Sequence, residues 1–233
     1  MTLPWNKCVN MLSIITQKIH LSRGPVATTT IQPLNLAIFV DYWNFQLSCN
    51  TNNGNTNFNI DWTQLNGWVS HHVANVLSRP LNEISHVSTY IYTSYNPLTA
   101  AEQKYKNWVN SFLSIQPGFK VTCLERKKKG NQKCSSCKTS VNFCPSCNVA
   151  MNNTEEKGVD TRLSVQMLDL AVNNAYDVAA IISHDADMIP AVEFVQSRGK
   201  RVIHFGFSPT GFELRKSCTH NFDMKTDIGR IKR

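Results

Sequence analysis

The sequence lacks an acidic residue before Asp41, and it lacks an apolar run of the roughly 18 residues that a membrane-spanning helix needs. Glycine and proline are also sparse, with 10 and 9 residues, which excludes collagen-like and low-complexity chains. A secretory signal peptide is not expected because Lys7, Lys18 and His20 interrupt the apolar character of the first 20 residues. We therefore expect a cytoplasmic globular protein of about one domain, with no membrane partner.

Basic residues outnumber acidic ones, 24 to 16, which gives the 233-residue chain a formal charge of +8. This excess favours an anionic partner. Residues 1–33 hold three basic side chains and no acid, so they are predicted to form a flexible basic extension, although a mitochondrial transit peptide has the same composition. Residues 221–233 are predicted to form a basic C-terminal tail.

Four of the eight cysteines form the pattern C-x2-C-x6-C-x2-C, made by Cys134, Cys137, Cys144 and Cys147. Two such turns bring four thiolates to one tetrahedral Zn²⁺ site. Because the four cysteines would fill the metal's coordination shell, the site would be structural. Two disulfides or an iron–sulfur cluster are the alternatives. We predict a zinc ribbon over 125–152, inserted into the domain.

Apolar runs of strand length alternate with helical patterns from residue 34 onward. Strands are predicted over 34–40, 86–93, 119–124, 178–183 and 201–207, and helices over 62–78, 98–114, 160–174, 188–198 and 210–217. The Asn-rich segment 48–60 is predicted to be a loop. This alternation predicts an α/β fold with a mostly parallel sheet and helices on both faces, in a domain spanning 34–220.

Acidic residues stand where predicted elements of this sheet begin or end. Asp41 ends the first strand, Asp185 and Asp187 follow the strand at 178–183, and Asp160 opens a helix. If the carboxyl ends of the strands share one edge, these carboxylates converge there, and oxygen ligands of this kind select Mg²⁺ or Mn²⁺. Taken singly, Asp160 and Asp187 also fit helix-start residues that bind no metal.

Several segments resemble the motifs of NYN domains, in the same order along the chain. An apolar strand leads into D-x-x-N at residues 38–45 (IFVDYWNF), and residues 157–160 (KGVD) are similar to the K-G-x-D helix start. Residues 182–188 (ISHDADM) resemble the S-G-D-x-D-F segment, and residues 200–206 (KRVIHFG) the following strand. The branch that these segments resemble most is the LabA/limkain-like one.

This resemblance implies a Rossmann-like, three-layer PIN-like nuclease that uses Mg²⁺ or Mn²⁺ to cut RNA. By the resemblance, Asp41, Asp160, Asp185 and Asp187 would bind the metal. Asn44 would orient the substrate or a metal-bound water. The catalytic residues would then be the same four aspartates together with Asn44, and the expected activity is endonucleolytic cleavage of single-stranded RNA.

The residues expected to contact RNA carry a positive charge or an aromatic ring, or stand beside the acids in the sequence. Lysines would contact phosphates, and aromatic rings near the acids would stack on bases, although simple packing is the alternative for Trp43. The lysines beside the cysteines could equally form a solvated basic loop. The expected substrate-binding residues are Tyr42, Ser183, His184, Lys127, Lys128, Lys129 and Lys200.

Three positions depart from the family pattern. Gln166 stands where many members have an acid, His184 replaces the usual glycine, and Met188 replaces the usual phenylalanine. The first departure sustains an alternative function, a non-catalytic or weakly active RNA-binding regulatory module on the same fold. The partner expected in either case is RNA, and a homodimer is left open.

Overall fold

The segments predicted as strands form the centre of the structure. The computed structural model describes residues 32–129, 132–133, 136–141, 143–148 and 154–233. The predicted N-terminal extension therefore lies outside the described residues apart from 32–33. The strands are β1 (Leu34–Asp41), β2 (Ile84–Tyr95), β3 (Phe119–Glu125), β4 (Lys127–Lys128), β5 (Gln132–Lys133), β6 (Ser140–Val141), β7 (Thr154–Glu155), β8 (Val178–Ile182), β9 (Arg201–Gly206) and β10 (His220–Asp223). The helices are α1 (Tyr42–Asn52), α2 (Trp62–Val76), α3 (Ala100–Ser111), α4 (Val159–Val172), α5 (Ile189–Ser197) and α6 (Phe212–Ser217).

Six parallel strands form the main sheet, in the order β10-β9-β8-β1-β2-β3. β1 lies in the middle and pairs with β2 on one side and β8 on the other. Its apolar run is buried from Leu36 to Val40, as expected of a strand that helices cover on both faces. This arrangement confirms the predicted α/β fold.

Alternation along the strands divides the core into two layers. Leu36, Ile38 and Val40 pack with residues of α1 and α2 on one face of the sheet. Ala37 and Phe39 point to the other face and pack with residues of α4 and α5. The sheet thus has helices on both sides, and every strand in it ends at the same edge.

Helix α1 was not predicted, because its sequence YWNFQLSCNTN carries no continuous apolar stripe. Only Tyr42, Phe45 and Cys49 are buried. The helix starts where it does because the Asp41 carboxylate caps it, accepting a hydrogen bond from the backbone N–H of Asn44 at 3.2 Å. The helix therefore occupies part of the segment predicted to be a loop.

The segment predicted as a basic tail, 221–233, is folded in the structure. Its first residues belong to β10, which pairs with β9 at the edge of the sheet. Met224, Ile228 and Ile231 are buried against the α2 side of the core. The sequence did not predict this packing, because the segment forms short 3-10 turns, which lack the apolar periodicity of an amphipathic α-helix.

The insertion leaves the sheet after β3 and returns through β7. Strands β4 and β7 pair antiparallel, as do β5 and β6, so the described part of the insertion contains two short ribbons. Within the described ranges, no helix has the length and apolar character needed to cross a membrane.

Candidate active site at the acidic edge of the sheet

The carboxyl ends of the parallel strands carry most of the polar side chains selected from the sequence. Asp41 is the last residue of β1, and Ser183 directly follows β8. Ser94 is the penultimate residue of the neighbouring strand β2. The fold therefore brings residues that are distant in sequence to one edge, where open α/β sheets bind their ligands.

Asp41 is the innermost carboxylate of this edge and is only 6% exposed. One oxygen caps α1, and the other accepts a hydrogen bond from Ser183 Oγ at 3.5 Å. Ser183 Oγ in turn accepts from the backbone N–H of Asp185 at 3.1 Å. Ser183 thus connects the end of β1 with the acidic loop after β8.

Asp185, Asp187 and Asp160 surround this position from two further segments. The Asp185 carboxylate caps a short 3-10 turn by accepting from the N–H of Asp187 at 2.9 Å, and Asp187 is exposed. Asp160 is in the first turn of α4, after Gly158, whose φ of 81° lets the chain turn sharply into the helix.

The negative charges of these carboxylates act on one another. Burial raises the pKa of Asp41 to about 7, helped by the negative charges of Asp160, Glu156 and Asp185 and opposed by the hydrogen bond from Asn44. Burial likewise raises the pKa of Asp160, and the charge of Asp185 adds to this effect. Among the described residues, no lysine, arginine or histidine forms an ion pair with Asp41, Asp160, Asp185 or Asp187.

The raised pKa of Asp41 predicts a pH-dependent stability for the metal-free protein. The unfolded pKa is near 3.8 and the folded one about 7, so the ionised carboxylate destabilises the folded state as pH rises through this window. The full cost, on the order of 4 kcal/mol, is present above about pH 7. Asp41→Asn keeps the helix cap and removes the charge, so its advantage in free energy of unfolding should grow from about pH 4 to pH 7 and then level off.

Chemical denaturation of both proteins in a chelator, across this pH range, measures the difference directly. Asp169→Asn is the matched control, because Asp169 is an exposed carboxyl at the far end of α4. A pH-independent difference between wild type and Asp41→Asn would contradict the prediction.

Asn44 is bound to the loop after β8 through its side chain. Its Oδ1 accepts hydrogen bonds from the backbone N–H and from ring Nδ1 of His184, at 3.0 and 2.9 Å. His184 Nε2 accepts from the backbone N–H of Phe207 at 2.9 Å, so the ring proton resides on Nδ1. Burial lowers the pKa of His184 to about 4, with a smaller effect from His204, and the ring stays neutral. Both ring nitrogens are therefore engaged within the protein.

The imidazole that replaces the family's glycine is accommodated by a glycine elsewhere. Gly211 has a φ of 69°, and a Cβ placed there would lie 2.8 Å from His184 Cδ2. Gln166 accepts a 3.3 Å hydrogen bond from the hydroxyl of Tyr92, which pairs with Asp41 in the sheet. Since six residues rotate a helix by about 240° from Asp160, an acid at 166 would not share its face.

A second group of residues at this edge was missed by the sequence analysis. Glu156 accepts a short hydrogen bond from Ser94 Oγ and lies 3.6 Å from the guanidinium of Arg126. Arg126 Nε also donates to Ser94 Oγ at 2.8 Å, and the guanidinium stacks over Trp43, 5.6 Å from the ring centre. Ser94 and Arg126 stand at the carboxyl ends of β2 and β3. The expectation that site residues follow strand ends could therefore have identified both from the sequence.

The predicted RNA contacts are placed at different edges. Lys127, Lys128 and Lys129 are exposed and leave the sheet at the acidic edge, where β4 pairs with β7 just before Glu156. Lys200, in contrast, precedes β9 and therefore lies at the amino-terminal edge of the parallel sheet. The structure does not bring Lys200 to the acidic site.

Tyr42 and Trp43 begin α1 beside Asp41. Tyr42 is buried, with its ring stacked on Trp62 at a centroid distance of 5.4 Å, and burial raises its pKa to about 12. Trp43 is half-buried, and its indole N–H donates to the backbone oxygen of Ser94 at 2.7 Å. Trp43 therefore connects the α1 side of the edge with β2.

Three of the four clustered cysteines are among the described residues, whereas Cys134 lies outside them. Residues Lys138 and Asn148, each directly after the second cysteine of a pair, have positive φ angles of 61° and 54°. The pKa of Cys144 is lowered by hydrogen bonds from the backbone N–H groups of Cys147 and Ser146. The residue after each pair therefore has the left-handed backbone conformation, and the thiol of Cys144 lies within reach of backbone N–H groups.

The carboxylates of the acidic edge and the thiols of the insertion are the two groups of side chains predicted to bind metal ions. Within the described ranges, which omit Cys134, no group of three or more His, Cys, Asp or Glu side chains forms an arrangement able to hold an ion. The donor chemistry of the acidic edge nevertheless fits a hard cation, since the four aspartates stand there and none of them pairs with a basic side chain in the part of the chain that the structure describes.

The six-stranded parallel sheet with helices on both faces and carboxylates at its carboxyl edge is consistent with a PIN-like α/β domain. A family model described as NYN domain matches residues 35–225 of the chain. The chain therefore belongs to the NYN domain family of PIN-like nucleases. The match also includes β10, which the predicted domain boundary at 220 had cut.

Two solved structures are similar to this chain over part of its length. One is a protein of unknown function, VPA0982, from Vibrio parahaemolyticus, with 18% identity, a TM-score of 0.49, and coverage of 83% of this chain and 94% of that one. The other is UGT89C1 of Arabidopsis thaliana complexed with UDP, with 12% identity, a TM-score of 0.27, and coverage of 75% and 36%. A search among curated proteins found no match.

Proposed function

We propose that this NYN domain is an endoribonuclease that cleaves single-stranded RNA at the acidic edge with the help of Mg²⁺ or Mn²⁺. The observation that carries the proposal is that the charges of Asp160 and Asp185 act on the buried carboxyl group of Asp41, and that none of the three has a basic partner among the described residues. Keeping such charges together is unfavourable unless a cation balances them. A purely structural role would not need this arrangement.

Asp41, Asp160, Asp185 and Asp187 are the residues that would hold the cation. When bound, such an ion lowers the pKa of a coordinated water and stabilises charge on the phosphoryl group. The protein's own contribution is to fix the carboxylates. Ser183 holds Asp41 relative to the loop after β8, and Asn44 binds the backbone of that loop through His184.

Contacts to the RNA backbone are proposed for Lys127, Lys128 and Lys129. Their three side chains are exposed and leave the sheet at the acidic edge, and the whole chain has a formal charge of +8. Phosphate neutralisation by such residues gives binding that weakens steeply with salt. The basic segment would therefore hold RNA near the carboxylates.

We further propose that Cys134, Cys137, Cys144 and Cys147 bind a structural Zn²⁺. Support comes from the two positive-φ residues that follow the cysteine pairs and from the backbone N–H groups directed at Cys144. Backbone donors of this kind stabilise a thiolate, which is the form that binds zinc. The ion would stabilise the fold of the insertion that displays the lysines.

The test is cleavage of end-labelled single-stranded RNA by the purified full chain with Mn²⁺, Mg²⁺ or a chelator. We expect cleavage at internal positions only with a divalent ion, and at least about a 100-fold lower rate for Asp185→Asn, because loss of a ligand removes several kcal/mol of transition-state stabilisation. The same strand as DNA and as duplex RNA defines the substrate. Equal cleavage by both proteins would point to a contaminating nuclease.

The same experiment decides the alternative of an RNA-binding module. If the wild type binds the RNA but does not cut it with any divalent ion, the nuclease proposal is wrong and the binding module is supported. Gln166→Glu is a useful companion variant. Because residue 166 is rotated by about 240° along α4 from Asp160, we expect this variant to leave the cleavage rate within a few-fold of wild type.

A further inference from the structure

A groove of about 670 Å³ lies next to the acidic edge. It is bounded by one side of α1, the segment 57–60, the start of α2 and one side of α3. Tyr42 and Trp43, which line it, directly follow Asp41 in the chain. The groove and the carboxylates therefore share a boundary, and its volume is within the roughly 300–1,000 Å³ of typical ligand sites.

Aromatic rings form a continuous wall along this groove. Tyr42 contacts Tyr105 and Trp108, with ring centroids 5.1 and 6.3 Å away. Trp108 stacks on Phe112 at 5.7 Å, and Tyr105 lies 5.0 Å from Trp43. Trp43, Tyr105, Trp108 and Phe112 are each only partly buried, so part of every ring is accessible from the groove.

The polar groups of the groove are amides and one guanidinium. Gln46 Nε2 donates to Asn50 Oδ1 and to the Phe58 carbonyl, both at 2.8 Å. Within the described residues, this leaves Gln46 Oε1 and Asn50 Nδ2 without a protein partner. Arg233 supplies a positive charge, and none of the described residues that line the groove is an aspartate or glutamate.

These features match an unpaired nucleobase and a nearby phosphate. Every base has a π face that can stack on aromatic rings, whatever the sequence, and its edge exchanges hydrogen bonds with amides. A groove whose described lining holds an arginine and no acidic side chain admits the phosphate that accompanies the base, in contrast to the acidic edge beside it. A peptide would use the same rings, but it would give no reason for the shared boundary with the carboxylates.

We infer that this groove is a base-binding subsite for single-stranded RNA, which seats one or two nucleotides next to the phosphodiester at the acidic edge. This inference rests on the proposed function, because it takes the RNA strand as the ligand of that edge. Trp108 and Tyr105 would provide the stacking surface, with Gln46 and Asn50 at the edge of the base. Arg233 would contact a phosphate.

The test measures binding without cleavage, by fluorescence anisotropy of a labelled oligouridylate with the full chain in a chelator. A second oligomer carries abasic nucleotides in place of every uridine. Stacking on a protein ring contributes enough for about a 10-fold difference, so the wild type should bind oligouridylate about 10-fold more tightly. Equal affinity of the wild type for both oligomers would overturn the inference without the need for any variant.

Variants then assign the effect to the groove. We expect Trp108→Ala to bind oligouridylate about 10-fold more weakly and the abasic oligomer unchanged, and Trp108→Phe to recover most of the loss. Phe212→Ala is the matched control, because this ring is 53% exposed on α6 and lies outside the groove. Equal losses for both oligomers in Trp108→Ala would indicate a structural defect and contradict the inference.

The outcomes separate the subsite from the nuclease activity. Metal-dependent cleavage by wild type together with unchanged oligouridylate binding by Trp108→Ala sinks the subsite and leaves the proposed function intact. Base-dependent binding without cleavage in any divalent ion would support the subsite and show that the nuclease proposal is wrong. Tighter capture of an aromatic or proline-rich peptide than of either oligomer would identify the groove as a protein-binding surface and overturn the subsite.

Discussion

Asp41→Asn is expected to lower metal-dependent RNA cleavage by about 100-fold or more while the protein stays folded. Asparagine retains an oxygen that can accept the N–H of Asn44, and it is as good an N-cap as aspartate, so α1 should still begin at residue 42. What the substitution removes is the negative charge at the most buried position of the acidic edge. Function and stability should therefore change in opposite directions.

Single-turnover cleavage at saturating Mn²⁺, measured beside thermal or chemical unfolding, checks both parts of this prediction. Asp169→Asn serves as the control, because Asp169 is exposed and its carboxylate accepts a 3.1 Å hydrogen bond from Asn173 within the same helix. It should cleave RNA within about two-fold of wild type. Full activity in Asp41→Asn would remove Asp41 from the site, and loss of folded structure would show that its carboxylate is needed for α1.

Cys144→Ser is expected to reduce bound zinc from about one equivalent to well below half, and to lower RNA affinity. Structural zinc contributes on the order of 10 kcal/mol to the folding of isolated zinc modules, so one lost thiolate should unfold the insertion. The main sheet should persist, because the six strands pair with one another without the insertion. Metal analysis of the purified protein and anisotropy with labelled RNA measure the two effects.

Cys218→Ser is the control for the zinc experiment. Cys218 is half-buried beside the core under α6, and burial raises the pKa of its thiol to about 12, which disfavours the thiolate that a metal would require. This variant should retain its zinc. Wild-type protein purified under reducing conditions with less than about half an equivalent of zinc would rule out the structural zinc site.

The sequence by itself was sufficient for the order of the main elements. Apolar runs such as Leu36–Val40 are buried on both faces, so the burial requirement is written into consecutive residues. The positions of Asp41 and Asp185 followed from the same reasoning, because a polar residue that ends a buried strand reaches the carboxyl edge. In contrast, α1 lacks an apolar stripe and depends on the cap that Asp41 supplies and on the packing of Phe45.

Only the tertiary structure decided which side chains at this edge touch. Glu156 joined the site through Ser94 and Arg126, from strands 30 or more residues away, and no local pattern encodes such pairs. Lys200 left the site for the same reason, because a parallel sheet sends the start and the end of each strand to opposite edges. The sequence thus determined how each segment folds and where its polar residues stand. Convergence of these residues required the strand order, which arises from contacts between segments far apart in the chain.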